Sequence, residues 1–369
     1  MTNLVLQASV QSRPLLVTRF AFVIHPLSPK QAAKRYPVAK YLPDSLLESI
    51  MKGMKPQVIS EITGIKSKTG AETSGIFIGV PLTPHMMTKA LPLEHSYGKI
   101  VEAAKIAERE GAQIIGLGAF TSVVGDGGIT IAHQSPIPVT TGNSYTVATA
   151  IEGVIKASAL VGISASESTL AVVGATGSIG KTCAKILARD FRRTLVVGRD
   201  LARTQEVADQ IPGSCASVDL DDLLQADAVV TVTSAGGAIV EPRHLKPGTV
   251  VCDVSRPRDV SARVAKERPD VLVIEGGVVR VPGDVDFHFD FGFPPHTAYA
   301  CMSETMMLAL EDRRESFTLG KDVSVEQVDQ TRFWAEKHGF ELAGFRSFEK
   351  AVPDEAIQRV RDARAKVAV

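Results

Sequence analysis

The stretch from Thr169 to Asp200, TLAVVGATGSIGKTCAKILARDFRRTLVVGRD, decides the fold. It contains a short run of branched apolar residues, a turn with three glycines, a helical segment and a second apolar run. Valine-rich runs that alternate with helices or loops continue to about residue 280, which is typical of a mostly parallel sheet covered on both faces. The sequence therefore predicts a Rossmann-type α/β domain with further elements on both sides of it.

The glycine turn predicts a dinucleotide site. It follows a strand and opens a helix, where free N–H groups face an anion and glycines let the backbone approach a pyrophosphate. Its spacing is GxxGxxG. A glycine triplet alone could be an ordinary tight turn. The strand before it, the helix after it and the second strand that follows favour a dinucleotide site instead. The expected cofactor contacts are Gly174, Thr176, Gly177, Ser178, Ile179 and Gly180.

The end of the second strand favours NADPH. Arg199 stands at its tip and Arg203 lies one turn into the next helix, where arginines accommodate a 2′-phosphate. Asp200 is either a carboxylate for the ribose hydroxyl of NADH or the N-cap of the following helix.

Elements on either side of this domain complete the predicted architecture. The segment before it contains strand-like runs at 19–25, 74–82 and 113–120, and ends in a helix from Tyr145 to Leu160. We therefore predict three parts: an α/β substrate domain over 1–144, a Rossmann NADP-binding domain over 145–300, and a C-terminal helical segment over 301–369. The last part is expected to pack back across the cleft.

The composition excludes several classes of protein. Basic and acidic residues number 41 each among 369 residues, so no global charge attracts nucleic acid. Four cysteines without CxxC spacing predict reduced thiols in a cytoplasmic protein, with no disulfide framework and no structural metal site. No apolar run approaches the roughly 18 residues of a transmembrane helix.

Cys301 is the candidate nucleophile. It follows a loop that contains His296 and stands in the first turn of a predicted helix, where the helix N-terminus would stabilise a thiolate. A buried, inert cysteine is an equally open interpretation of the pattern. Loop histidines are often merely hydrogen-bonded, so His296 is given little weight as a base.

An ordered series of motifs resembles a known family, the long-chain acyl-[acyl-carrier-protein] reductases of cyanobacterial type. The motifs are GAFTSVV (Gly118 to Val124), TTGNSYT (Thr140 to Thr146), GATGSIG, YACMSE (Tyr299 to Glu304) and KHGF (Lys337 to Phe340). The resemblance implies NADPH-dependent reduction of a fatty acyl thioester to a fatty aldehyde through an acyl-cysteine. It implies Cys301 as the nucleophile and Glu304 as the acid.

The resemblance also implies the partners. Acyl carrier protein or acyl-coenzyme A would donate the acyl group, and an enzyme that consumes the aldehyde is a further expected partner. The first 70 residues and the tail beyond Phe340 depart from the family pattern.

The carbonyl oxygen of such a substrate needs hydrogen-bond donors. Thr140, Thr141 and Asn143 are candidates, because their turn precedes the helix that connects the two predicted domains. Roles as turn and cap residues are equally open.

Two other enzyme classes and a binding protein are the alternatives. A shikimate-dehydrogenase-like enzyme would need a lysine shortly after Thr83-Pro84, but Lys89 comes too late. A glutamyl-tRNA reductase would need an N-terminal cysteine, and none precedes Cys183. A non-enzymatic NADP-binding redox sensor stays open.

A basic segment suggests where an acidic carrier docks. From Lys30 to Lys68 there are eight basic residues against three acidic ones. A merely solvated surface is an equally open interpretation.

Overall fold

A computed structural model describes residues 18–32, 41–255, 257–290, 292–348 and 350–367. Two six-stranded sheets dominate this part of the chain. The first contains β1 (Arg19–Ile24), β2 (Gln57–Lys66), β3 (Glu72–Gly79), β4 (Ile114–Leu117), β5 (Val139–Thr140) and, from much later in the chain, β13 (Gly283–Asp286). The second contains β6 (Thr169–Val173), β7 (Arg193–Val197), β8 (Ser214–Ser217), β9 (Ala228–Thr231), β10 (Val250–Asp253) and β11 (Leu272–Glu275).

Smaller strands and the helices complete the described elements. The strands are β12 (Val278–Arg280), β14 (Thr297–Tyr299), β15 (Glu341–Leu342), β16 (Arg346–Ser347) and β17 (Lys350–Ala351). The helices are α1 (Pro29–Ala32), α2 (Asp44–Gly53), α3 (Leu93–Arg109), α4 (Ile129–Gln134), α5 (Asn143–Leu160), α6 (Ser178–Leu187), α7 (Leu201–Ala208), α8 (Ala262–Glu267), α9 (Ala300–Leu310), α10 (Val325–His338) and α11 (Asp354–Val367).

The second sheet confirms the predicted Rossmann-type fold. Its order is β8-β7-β6-β9-β10-β11, and each neighbouring pair is parallel. This order is the doubly wound arrangement in which a ligand binds at the carboxyl ends of the strands. The strands are almost entirely buried, which agrees with their continuous apolar sequences.

The first sheet has the order β13-β2-β3-β1-β4-β5. Strands β3, β1, β4 and β5 are parallel to one another, whereas β2 and β13 run antiparallel to their neighbours. Because β13 follows the second sheet in sequence, the chain returns to the first sheet before α9 begins. The predicted boundaries at 144 and 300 stay predictions.

Helix α5 connects the two sheets and carries twelve buried residues. It packs against α6, α9, α10 and β10. The carboxyl ends of the parallel strands of both sheets line one cavity of about 2000 Å³. No helix within the described ranges is long and apolar enough to cross a membrane.

Candidate active site

The glycine turn lies at the carboxyl end of β6 and leads into α6. Gly174 adopts a left-handed backbone at φ 86°, and a Cβ there would lie 2.3 Å from the carbonyl oxygen of Val232. A Cβ at Gly180 would lie 2.4 Å from the carbonyl oxygen of Gly174. Both positions therefore require glycine for the turn and for the close packing of helix on strand.

Gly177 has a different role. It is the N-cap of α6, and a Cβ there would meet only the carbonyl oxygen of Gly174, at 3.3 Å. Its outer face is therefore open to a ligand that approaches the free N–H groups of the helix. Every predicted cofactor residue except Gly180 lines the cavity, so the residues present fit a dinucleotide.

The arginines at the end of β7 also line this cavity. Arg199 and Arg203 are exposed, and neither guanidinium forms an ion pair with a described residue. The Asp200 carboxylate instead accepts a hydrogen bond from the Arg203 N–H at 2.9 Å, so Asp200 is the N-cap of α7. The N-cap interpretation is therefore the one that this geometry supports.

Cys301 is half-buried at the start of α9 and lines the same cavity. The Cys301 sulfur accepts hydrogen bonds from the backbone N–H groups of Ala119, Cys301 and Met302. Burial and, to a smaller extent, the nearby Glu304 carboxylate nevertheless raise the pKa of Cys301 to about 12. In this conformation desolvation therefore outweighs the three N–H groups, so the helix N-terminus alone does not favour the expected thiolate.

This raised pKa gives a pH dependence that can be measured. Because only the thiolate reacts, alkylation of Cys301 by iodoacetamide should rise about tenfold per pH unit from pH 7 to pH 10. We expect this in a Cys215→Ser background, which removes the other half-buried cysteine. Peptide mass spectrometry measures the alkylation rate of Cys301 at each pH. A rate that reaches a plateau below pH 8 would contradict the raised pKa.

Glu304 lies three residues after Cys301 in α9 and is fully buried. Its Oε1 accepts hydrogen bonds from the hydroxyls of Thr140 (2.6 Å) and Thr318 (3.1 Å). Its Oε2 accepts from the Ser144 hydroxyl (2.6 Å) and the Tyr145 N–H (2.9 Å). Four donors on two oxygens describe a carboxylate that holds α9 against the start of α5, and this arrangement does not favour the predicted role as an acid.

Two of the three predicted oxyanion donors are also engaged in hydrogen bonds within the protein. The Thr140 hydroxyl donates to Glu304, and the Thr141 hydroxyl donates to the carbonyl oxygen of Thr318. Asn143 lines the cavity, and its amide makes no hydrogen bond within the described part of the chain. Asn143 is therefore the member of the three that lines the cavity with a side-chain amide not engaged by another described residue.

Gly142 explains how α5 and α9 come so close. It precedes α5 with φ 73°, and a Cβ there would lie 2.3 Å from both Cα and Cβ of Cys301. Only glycine therefore lets the backbone of α9 begin where it does.

Two residues of the site were missed from the sequence. His25 follows β1, and its Nε2 accepts the Phe120 N–H at 3.1 Å while Nδ1 faces the Pro26 carbonyl oxygen at 3.1 Å. Burial lowers the pKa of His25 to about 4, so the ring is neutral. Ala119 has φ 47°, a strained value for a residue with a Cβ. A polar residue at the carboxyl end of a buried strand was the available signal for His25.

His296 does not line the cavity. Its Nε2 lies 3.7 Å from Oδ1 of Asp284.

Of the basic segment, Lys52 and Lys55 are exposed near the end of α2, and Lys55 lines the cavity. Lys34, Arg35 and Lys40 lie outside the described residues.

The fold and the glycine turn define an NAD(P)-dependent oxidoreductase. In agreement, the sequence model of the shikimate / quinate 5-dehydrogenase family matches residues 156–275. A search of solved structures also matches quinate dehydrogenase from Corynebacterium glutamicum in complex with NAD, at 13% identity and a TM-score of 0.36 over 69% of this chain and 87% of that one.

Two curated relatives are more similar in sequence. The aminotransferase PigE of Serratia sp. is 31% identical over 340 residues, which cover 87% of this chain and 39% of that protein. The chain thus spans about two fifths of the length of that relative. The long-chain acyl-[acyl-carrier-protein] reductase of Synechococcus elongatus is 30% identical over 307 residues, which cover 78% of this chain and 87% of that protein. The chain belongs to the family of this reductase.

Proposed function

We propose that this protein uses NADPH to reduce a fatty acyl thioester to a fatty aldehyde, with Cys301 as the nucleophile. The observation that carries the proposal is one continuous cavity that contains the glycine turn, the Cys301 thiol and a largely apolar wall. A nicotinamide cofactor held by the turn, an acyl group on the thiol and an apolar chain along the wall can share this space.

The residues around Cys301 support acyl transfer. Attack on a thioester develops negative charge on the carbonyl oxygen, and the backbone N–H groups of Ala119 and Met302, which face the Cys301 sulfur, are donors close to the carbon that this sulfur would attack. The Asn143 amide lines the same space. When bound, NADPH supplies the hydride that converts an acyl group to an aldehyde.

The proton of Cys301 needs a destination. Glu304 already accepts four hydrogen bonds, and both nitrogens of neutral His25 are engaged. We infer that the proton leaves with the thiol of the departing carrier. Thioester exchange is then balanced, because one thiol is consumed and one is released.

The direct test is incubation of the purified protein with NADPH and a series of acyl thioesters, with detection of aldehyde. Aldehyde formation that requires both substrates supports the proposal. Binding of NADPH without turnover of any thioester would favour a redox sensor. The apolar wall argues against a small polar hydroxy acid of the shikimate type.

The choice of NADPH is tested at Arg199. Replacing Arg199 with alanine should weaken NADPH binding about tenfold or more and leave NADH binding nearly unchanged, because only the 2′-phosphate loses a charge-assisted partner. Arg192→Ala is the matched control, since Arg192 is exposed just before the amino end of β7. Fluorescence titration with both cofactors measures the effect, and equal losses for both would contradict the assignment.

We also propose that the basic segment docks an acidic acyl carrier protein. Lys52 and Lys55 stand at the end of the helix whose apolar residues line the cavity, so a carrier bound there could deliver its acyl arm. Charge reversal at both lysines should lower kcat/KM for acyl carrier protein substrates several-fold at low salt and leave acyl-coenzyme A less affected. The effect should shrink as ionic strength rises. Equal losses for both substrates would contradict a carrier-specific surface.

A further inference from the structure

One row of residues crosses the first sheet at its carboxyl edge. The strand registers place Gly118, Ile24, Gly79 and Gln57 side by side, on β4, β1, β3 and β2 or directly after them. All four line the cavity that contains Cys301. The row therefore connects the thiol with β2, on the far side of the sheet.

Two of the four residues in this row are glycines, so no side chain projects from the sheet at their positions. A Cβ at Gly118 would lie 2.7 Å from the Phe22 ring, and one at Gly79 would lie 2.8 Å from the Ile59 side chain. The missing side chains point to the same face of the sheet as Phe22 and Ile59. A shallow groove consequently runs over this face, next to α9.

The walls of the groove are apolar. The segment after β13 contributes Phe289 and Phe293 to the cavity lining. The Phe289 ring packs edge-on against the ring of Phe77, which lies beside Phe22 on the same face of the sheet. Aromatic and aliphatic side chains of this kind line binding sites for apolar ligands.

The cavity around Cys301 extends in several directions, and their linings differ in polarity. On the β5 side it is lined by Thr141, Gly127 and Lys321, and on the side of the second sheet by the glycine turn. The direction past Ile24 and Gly79 towards Ile59 is the apolar one.

Strand spacing gives the length of this path. Three steps between neighbouring strands, from β4 to β2, span roughly 14 Å. An extended chain advances about 1.2 Å per bond. A chain of about 12 carbons would therefore reach from the thiol to Ile59.

We propose that the acyl chain of the substrate lies along this row and that Ile59 sets the longest chain accepted. This inference rests on the proposed function, because it assumes that the acyl group is carried by Cys301. Chains shorter than the path end before Ile59, whereas longer chains must pass it.

The test compares octanoyl- and palmitoyl-coenzyme A as substrates with NADPH. Ile59→Phe should lower the ratio of kcat/KM for palmitoyl over octanoyl at least about tenfold, since steric mismatch in an apolar pocket costs that much. Ile59→Ala should raise the ratio or shift the preference to longer chains. Val58→Phe is the matched control, because Val58 is the preceding residue and packs on the opposite face of the strand.

The outcomes separate this inference from the function it rests on. If the unmodified protein forms no aldehyde from either thioester, the proposed function fails and this inference fails with it. If aldehyde forms but the ratio is the same in both Ile59 variants, or moves equally in Val58→Phe, the chain takes another route. Should Ile59→Phe not bind NADPH, Gly79→Ala decides, because its Cβ pushes the Ile59 side chain into the groove and should lower the same ratio.

Discussion

Replacing Cys301 with serine should abolish aldehyde formation, with a loss of roughly 10³- to 10⁶-fold in turnover. A serine hydroxyl at this position has no base to activate it, because His25 and Glu304 are already engaged by other groups. NADPH binding should be retained, since the glycine turn lies on a different element.

Cys215→Ser is the matched control for this substitution. Cys215 is also half-buried, but it lies in β8 and does not line the cavity. The control should keep full activity. Turnover retained in Cys301→Ser would rule out the acyl-cysteine and reopen the hydroxy-acid interpretation.

Replacing Gly142 with alanine should lower kcat/KM about 100-fold, because displacement of a reacting group by about 1 Å can cost that much. The new Cβ would lie 2.3 Å from Cys301, so the start of α9 must move. Steady-state kinetics and the thermal midpoint of unfolding measure the two consequences separately.

Gly162→Ala separates the contact from the backbone strain. Gly162 stands at the other end of α5 with φ 79°, and a Cβ there meets nothing within 4 Å. Both variants should lose about 1–2 kcal/mol of stability from the left-handed backbone. Only Gly142→Ala should lose aldehyde formation, and equal kinetic losses would contradict the role assigned to the contact.

The Rossmann-type sheet could be predicted because its signals are local. The glycines of the turn, the strand before it and the helix after it are consecutive in sequence, so pattern alone fixes their arrangement. The same holds for α5, whose apolar positions recur at helical spacing.

The site around Cys301 could not be predicted to the same degree, because long-range contacts build it. The family resemblance implies Glu304 as an acid, but the four donors to its carboxylate come from Thr140, Ser144, Tyr145 and Thr318. The pKa of Cys301 depends on how deeply α9 is buried, which a helix pattern does not reveal.

The groove proposed for the acyl chain could not be predicted from the sequence either. It is formed by four strand ends that come together only through the order β2-β3-β1-β4. Strand β13 shows the same limit, since its pairing with β2 joins residues more than 200 positions apart.

The most direct measurement of the central claim is intact-mass analysis of the protein incubated with palmitoyl-coenzyme A in the absence of NADPH. We predict a single palmitoyl adduct that maps to Cys301, followed by its disappearance and the release of one equivalent of aldehyde when NADPH is added. An adduct on another residue, or aldehyde formation with no acyl adduct on Cys301 at any time, would contradict the account.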